Sequence, residues 1–470
     1  MSRELALLGL AEAAALVRDR KVSPVELVDA VAAQADRWEP HIQSLIVRMD
    51  DQARAGARAA EAEIAAGRYR GPLHGIPVTI KDVMDVAGVP TTVASPILAD
   101  NVPDASCVAV QRLEQAGALV AGKANTHQFT WGGDTPPTRN PWDVARIPGG
   151  SSGGSGAGMA ACIGYGSLGS DTAASVRSPA AYNGVVGLKT TYGRIPKSGF
   201  FPLAWSMDSV GPLARRVEDV ALLLDAISGW DASDPSAVPG PMAPALPTLR
   251  DGVKGLRIGV PEDYFWRPIQ SEVDAELRRG LDALRDAGAI VTPVTIAGGE
   301  HLPLSVAVSF VLIIVESAAW HRSWLDEKPW GYAPDVYEYI SWAKRIPATD
   351  FVDAQRVRRL ITDVIDRAFT GVDLLAVPTQ AQVASRIDTP EVTFSDGTRE
   401  HRDPAGIRSL AIFNLTGHPG VSVPVGRGAD TGMPVGLQLV ARRGEDATAL
   451  RAAQAVEERL GTLGEPPLPA

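Results

Sequence analysis

Apolar and polar positions follow two periods along this chain, and the change between them sets out the expected elements. The first 66 residues read as helical. Ser23-Pro24-Val25-Glu26 has the form of a capping box with proline at the first helical position, starting a helix that runs towards Arg37. An Ala-rich helix with a polar face is expected from about Asp51 to Ala65. From Gly71 onward, short apolar runs alternate with helical patterns. Pro77–Lys81 and Ala118–Ala121 read as strands, with a helix at about Ala105–Gln115 between them. Further strands are expected at Val185–Lys189, Leu256–Val260, Ile290–Val294, Asp373–Val377, Val421–Val425 and Gly436–Ala441. Val357, Leu360, Ile361, Val364 and Ile365 form an apolar stripe at helical spacing. The alternation predicts an α/β fold with a helix-covered sheet.

Composition narrows this picture. The 470 residues are 45% apolar and 21% charged, as in ordinary globular proteins. Length alone suggests about three domains. The most linker-like stretch, Asp234–Pro247, holds Pro235, Pro239, Pro241, Pro244 and Pro247, and reads as a domain linker or a surface loop. A net charge of −10 without a Lys/Arg stripe gives nucleic-acid binding no support. No run of about 18 apolar residues marks a membrane span. Glu4 and Glu12 interrupt the apolar opening, and no small-residue cleavage site follows, so an amphipathic helix fits better than a signal peptide. A cytoplasmic setting is the expectation. Cys107 and Cys162 lie among small apolar residues and read as buried, inert thiols.

The stretch Arg146–Gly158, RIPGGSSGGSGAG, admits several readings. A flexible linker joins polar flanks, but the apolar Ala157–Ile163 follows at once and suits a buried helix. A phosphate loop needs a following lysine and a preceding strand; the lysine is missing, and Pro148 disfavours the strand. Gly149–Gly153 matches the G-x-S-x-G nucleophile elbow, as does the overlapping frame centred on Ser152. That elbow follows a strand, whereas Asn140–Pro148 reads as loop. It also needs a later acid and histidine, and His301, His321, His401 and His418 have no distinctive context.

A second serine loop, Gly169–Pro179, places Ser175 24 residues after Ser151. Small residues at 172–174 would let consecutive backbone N–H groups line a turn able to hold an oxyanion, although these residues alone favour a plain polar turn before a helix. Lys81 ends the strand-like run Pro77–Lys81. Most such lysines reach water, but a desolvated lysine has a lowered pKa and can act as a base. A neutral lysine can then replace histidine in activating a serine.

Together these motifs make the chain resemble the amidase signature family from about Ala11 to Glu458. The matching segments are GPLHGIPVTIKD (71–82), GKANTHQF (122–129), GGSSGGSGAG (149–158), GSDTAASVRSPAAYNGVVGLKTTYGRIPKSG (169–199) and SMDSVGPLARRVEDVALLLDAI (206–227). DLLAVPT (373–379), NLTGHPGVSVPVG (414–426) and MPVGLQLVARRGED (433–446) follow. The resemblance implies a single compact α/β domain over 1–470, with a mixed sheet of about eleven strands covered on both faces by helices. Within it, 1–66 would be an N-terminal helical segment and 67–228 the catalytic core motifs. Residues 229–254 would be a Pro-rich surface loop, 255–462 a substrate-side insert and return to the core, and 463–470 a flexible tail.

The resemblance also implies roles. By motif position Ser175 is the nucleophile, Ser151 a bridging serine after a cis Gly150–Ser151 peptide, and Lys81 the base. The backbone N–H groups of Thr172, Ala173, Ala174 and Ser175 would form the oxyanion hole, with Asp171 and Arg177 bracing the loop. His127 and His418 would act in support or in the core. Trp131, Gly132 and Gly133 are candidate substrate contacts, as is Ser152, which otherwise supports its loop. The region Val306–Ile346, with Trp320, Trp330 and Trp342, is a candidate lid or acyl site, though core packing explains those tryptophans equally.

The chain departs from the family pattern at Ala173 and Ala174, where glycine is common. It also departs at Gln128, where an acid is common, and in GLKTT for GLKPT. The expected activity is hydrolysis of carbon–nitrogen bonds in amides, anilides or carbamates, with esterase side activity and no metal or cofactor. The expected partners are a small-molecule amide or carbamate, with no nucleic acid and no membrane, in a monomer or homodimer. The alternatives are the amidase subunit of a tRNA-dependent amidotransferase and a catalytically silent binding protein on this scaffold.

Overall fold

Short apolar runs bounded by turns pair into one mixed sheet of eleven strands. The computed structural model describes residues 2–469; Met1 and Ala470, the ends of the expected domain, lie outside the described residues. The strands are β1 (Leu45–Arg48), β2 (Pro77–Lys81), β3 (Leu119–Ala124), β4 (Ser167–Asp171), β5 (Val186–Lys189) and β6 (Ser209–Ala214). There follow β7 (Arg257–Val260), β8 (Ile290–Pro293), β9 (Leu374–Pro378), the short β10 (Glu391–Thr393) and β11 (Arg399–His401), β12 (Gly420–Arg427) and β13 (Pro434–Ala441). The order is β1-β3-β2-β4-β6-β5-β12-β13-β9-β7-β8, with β10 and β11 paired separately. One sheet therefore takes strands from both sides of the Pro-rich stretch 234–247. β2, β4, β6, β9 and β13 are buried at every position, so helices cover both faces of the sheet's centre.

The expected strands fall within a few residues of those observed, but β1, β4, β6 and the short pair β10 and β11 were not expected. β1 interrupts the segment read as wholly helical: the helix Pro24–Ile42 ends at Gln43 in a left-handed conformation, and Leu45–Arg48 then pairs antiparallel with β3. β4 (SLGSD) and β6 (SVGPLA) lack the apolar alternation that marks a strand. Their small residues answer to close packing instead. A β-carbon on Gly211 would lie 2.2 Å from the Leu188 carbonyl oxygen, and one on Gly169 would lie 2.9 Å from Leu213 Cδ1. In the segment expected to be a flexible tail, Glu465 receives hydrogen bonds from Arg3, Gln34 and Arg37.

Two features of this topology position the site. β2 and β4 are parallel neighbours, so Lys81 and Asp171 end their strands on the same edge of the sheet. That edge, beyond the carboxyl ends of parallel strands, is where α/β sheets commonly open a crevice. The Gly/Ser stretch forms the buried helix Gly153–Ala160 rather than a linker. Its side-chain-free face has a steric cause: a β-carbon on Gly154 would lie 2.5 Å from both Asn125 N and the Ser44 carbonyl oxygen. Among the described residues no helix is long and apolar enough to cross a membrane.

Candidate active site

Lys81 is fully buried at the end of β2. Its Nζ donates to Ser151 Oγ at 2.7 Å and to Ser170 Oγ at 2.9 Å. Burial drives its pKa down to about 7, against the opposing pull of Asp171 and Asp208. Sequence reasoning singled out Lys81 and Ser151 but missed Ser170. The only signal for it was its place one residue before Asp171 on a strand that the pattern did not reveal.

The Gly150–Ser151 peptide is cis. A β-carbon on Gly150 would lie 2.3 Å from the Asp134 carbonyl oxygen, so only glycine fits there. The loop is held by Thr135, another residue that sequence reasoning passed over. Thr135 Oγ1 donates to the Gly149 carbonyl at 2.8 Å and accepts from Gly153 N at 3.1 Å. Ser152, expected among the substrate contacts, is absent from the cavity wall. Its hydroxyl donates to the Ser170 carbonyl at 3.2 Å and accepts from Ser170 N at 3.3 Å, which consumes it in the protein interior. Its own N–H donates to the Ser175 carbonyl at 3.2 Å and so joins the two serine loops.

Thr172, Ala173, Ala174 and Ser175 lie together along a cavity that also exposes Gly150. Among the described residues their four backbone N–H groups have no hydrogen-bond partner. Unpaired amides beside a cavity are suited to an anion or developing oxyanion. Asp171 closes the loop from beneath. Its Oδ2 accepts from Val176 N at 3.1 Å and Arg177 N at 3.3 Å, and its Oδ1 pairs with Arg177 Nη2 at 2.9 Å. Arg177 also donates to Gln438 Oε1, Asn414 Oδ1 and the Leu410 carbonyl. Burial alone would raise the Asp171 carboxyl; the charge and hydrogen bonds of Arg177, with Lys189, outweigh it and hold the pKa at about 2. Thr172 Oγ1 donates to Asp208, whose carboxyl burial raises to about 6 despite Lys197 and this hydrogen bond.

The cavity measures about 840 Å³, counting the space at its mouth. Trp131, Phe310, Ile313, Tyr339, Leu203 and Ile407 make most of its wall apolar, and Arg402 with Asp403 forms one polar edge. Gly132 and Gly133, candidate substrate contacts, line it beside Trp131. The region 306–346 contributes through Ser309, Phe310, Ile313 and Tyr339, not through the tryptophans. Trp320, Trp330 and Trp342 are 55%, 69% and 41% exposed, which also removes the core-packing reading. His127 and His418 stand outside the wall, their Nε2 atoms 3.7 Å from Asp335 and 3.2 Å from Asp366. No imidazole hydrogen-bonds Ser151, Ser152 or Ser175 among the described residues, so the elbow with a histidine base has no geometry here.

A protein-family model described as Amidase matches residues 26–450. The chain is 40% identical over 461 residues to an amidase of Pseudomonas putida, covering 97% of this chain and 96% of the relative. It is 38% identical over 498 residues to a glutamyl-tRNA(Gln) amidotransferase subunit of Anaeromyxobacter sp. (strain K), covering 100% and 99%. A solved chain from work on a vestigial protein complex and the evolutionary origins of an s-triazine catabolic enzyme superposes with a TM-score of 0.91. It shares 32% identity and covers 98% of this chain and 100% of that one.

Proposed function

This chain belongs to the amidase family of hydrolases acting on carbon–nitrogen bonds, and on that premise we propose that it cleaves small amides, anilides or carbamates bearing a bulky apolar group, through an acyl-enzyme on Ser175. The observation that carries the reading is Lys81. It is buried, its pKa is near neutrality, and it lies 2.7 Å from Ser151 Oγ beneath a cavity lined by Ser175. At pH 7 about half of such lysines are neutral, against roughly one in three thousand at the ordinary value.

In the neutral form the short contact can run in reverse, with Ser151 O–H donating to the Nζ lone pair. As Ser175 Oγ bonds to the substrate carbonyl carbon, its proton passes to Ser151 and the Ser151 proton to Lys81. The carbonyl π pair moves onto oxygen, where the amides of residues 172–175, which line the cavity, would receive it. Collapse of the tetrahedral adduct expels the amine, which takes the proton back through Ser151. Water then adds by the same relay, Lys81 again accepting a proton, which returns through Ser151 to Ser175 Oγ as the acid leaves. A carbamate follows the same route, leaving a carbamoyl- or alkoxycarbonyl-enzyme according to the bond cleaved, and an ester differs only in its leaving group.

Similarity to an amidotransferase subunit supports a second reading, in which the site releases ammonia from glutamine for a partner-held reaction. The apolar wall of Trp131, Phe310, Ile313, Tyr339 and Ile407 favours the first, while the Arg402–Asp403 edge is the feature that would serve glutamine's charged carboxylate and ammonium in the second. Incubation with a fluorophosphonate probe and a panel of amides, carbamates and glutamine tests both. Labelling at Ser175 with turnover of aryl or branched amides is expected. Turnover of glutamine alone, increased by tRNA, nucleotide and partner subunits, would favour the second reading. Absence of both label and hydrolysis would leave the silent-scaffold alternative.

A further inference from the structure

The loop after β3 and the segment entering the helix Pro334–Ser341 meet at one side chain. Gln128 Nε2 donates to the Gly331 carbonyl at 2.8 Å and to Ser95 Oγ at 3.3 Å, while its Oε1 accepts from Ala333 N at 2.6 Å. Ser95 Oγ donates to the same Gly331 carbonyl at 3.2 Å. From the other side Ile97 presses on this segment, so that a β-carbon on Gly331 would lie 2.3 Å from Ile97 Cγ1. Ala333 caps the helix, Pro334 begins it, and Tyr339 follows within it.

Tyr339 then stacks on Trp131, with ring centroids 5.6 Å apart and planes within 5°. Trp131 Nε1 donates to Ser317 Oγ at 3.2 Å, on the helix Leu304–Trp320 that also carries Phe310 and Ile313. Residues 128 and 131 of one short loop thus hold both helices of the apolar wall. Gln128 itself does not line the cavity.

We infer that Gln128 is a specificity-determining positioning residue, which sets the aromatic wall around Tyr339 and so selects substrates with a flat aromatic or bulky apolar group. The inference rests on the cavity being the substrate site. The contacts demand an amide, because one end must donate to a carbonyl and the other accept from an N–H. A carboxylate has the same shape but only acceptors, and would face the Gly331 carbonyl with like charge. The clamp then opens at Gly331, the start of the helix shifts, and the Tyr339 stack loosens.

The test compares wild type with Gln128→Glu on acetamide and phenylacetamide. The phenylacetamide-to-acetamide ratio of kcat/KM is expected to fall at least ten-fold, through KM for the aromatic amide. Taking a ratio cancels changes in Lys81 protonation. The ratio should recover towards wild type as pH falls below about 5, where the introduced carboxyl is protonated and can donate again. A purely structural defect would not recover in this way. Amide hydrogen exchange across residues 331–342 should quicken in the variant, and this readout needs no turnover.

A ratio within two-fold of wild type, with both amides hydrolysed by both proteins, overturns the inference. So does unchanged exchange at 331–342. If wild type hydrolyses neither amide, the hydrolase reading fails separately while exchange still reads the clamp. Should Gln128→Glu not fold, Gln128→Met, uncharged and of similar length, is read by the same ratio and exchange.

Discussion

Lys81 ends β2 and Ser170 is the last residue but one of its parallel neighbour β4, and Lys81 Nζ donates to Ser170 Oγ at 2.9 Å in a fully buried site. That hydroxyl accepts from the ammonium and so favours the charged form, while burial disfavours it. Ser170→Ala should therefore lower the Lys81 pKa below about 7. The acid limb of the kcat/KM–pH profile should move to lower pH, and kcat should fall about ten-fold, the equivalent of one hydrogen bond of roughly 1.4 kcal/mol. An unmoved limb would exclude Ser170 from setting the base.

Activity should rise with pH through about 7 in the wild type, because the base must be neutral and burial holds Lys81 at that value. Lys81→Ala and Ser151→Ala should each cut kcat/KM by roughly 10³-fold or more, and Ser175→Ala should abolish fluorophosphonate labelling. Mass spectrometry of the labelled peptide locates the nucleophile. A label on Ser151 or Ser152 would overturn the assignment.

Buried lysines should also make stability depend on alkaline pH. Lys81 and Lys189 both sit at about 7 when folded, against 10.5 ordinarily. Between these values the unfolded chain binds more protons, so stability rises with pH, by at most about 1.4 kcal/mol per pH unit for each group. Lys81→Met should remove its share of the slope, raise Tm at pH 7 and eliminate activity. Urea unfolding at pH 7, 8 and 9 reads the slope directly.

The Asp171–Arg177 pair should prove costly to break. Both side chains are fully buried, and Arg177→Met would strand the Asp171 carboxylate. A loss of about 3–5 kcal/mol is expected in denaturant titration, with slower labelling of Ser175. In the wild type the pair's contribution is present above the unfolded carboxyl value of 3.8 and is lost as pH falls through about 2.

Much of this was legible in the chain itself. The apolar runs ending at Lys81 and Val377 mark strands because their side chains must be buried, and the capping box at Ser23 marks a helix start by local hydrogen bonding. The resemblance of the segments around Lys81, Ser151 and Ser175 to one family implied a single chemistry for the three. β4 and β6 stayed hidden, because their glycines and serines answer to neighbours distant in sequence rather than to a local period.

Local pattern thus determined the α/β alternation and the family motifs, and resemblance to those motifs singled out the candidate serines and lysine. Only the tertiary structure decided which serine meets the lysine, that Ser152 faces the interior, and that Ser170 joins the site. It alone built the cavity wall from Trp131, Phe310, Ile313 and Tyr339, while leaving the tryptophans at 320, 330 and 342 exposed. The physical reason is range. Helix caps and strand runs are written over a few residues, whereas desolvating Lys81 or enclosing an apolar cavity takes groups brought together by strand order and packing.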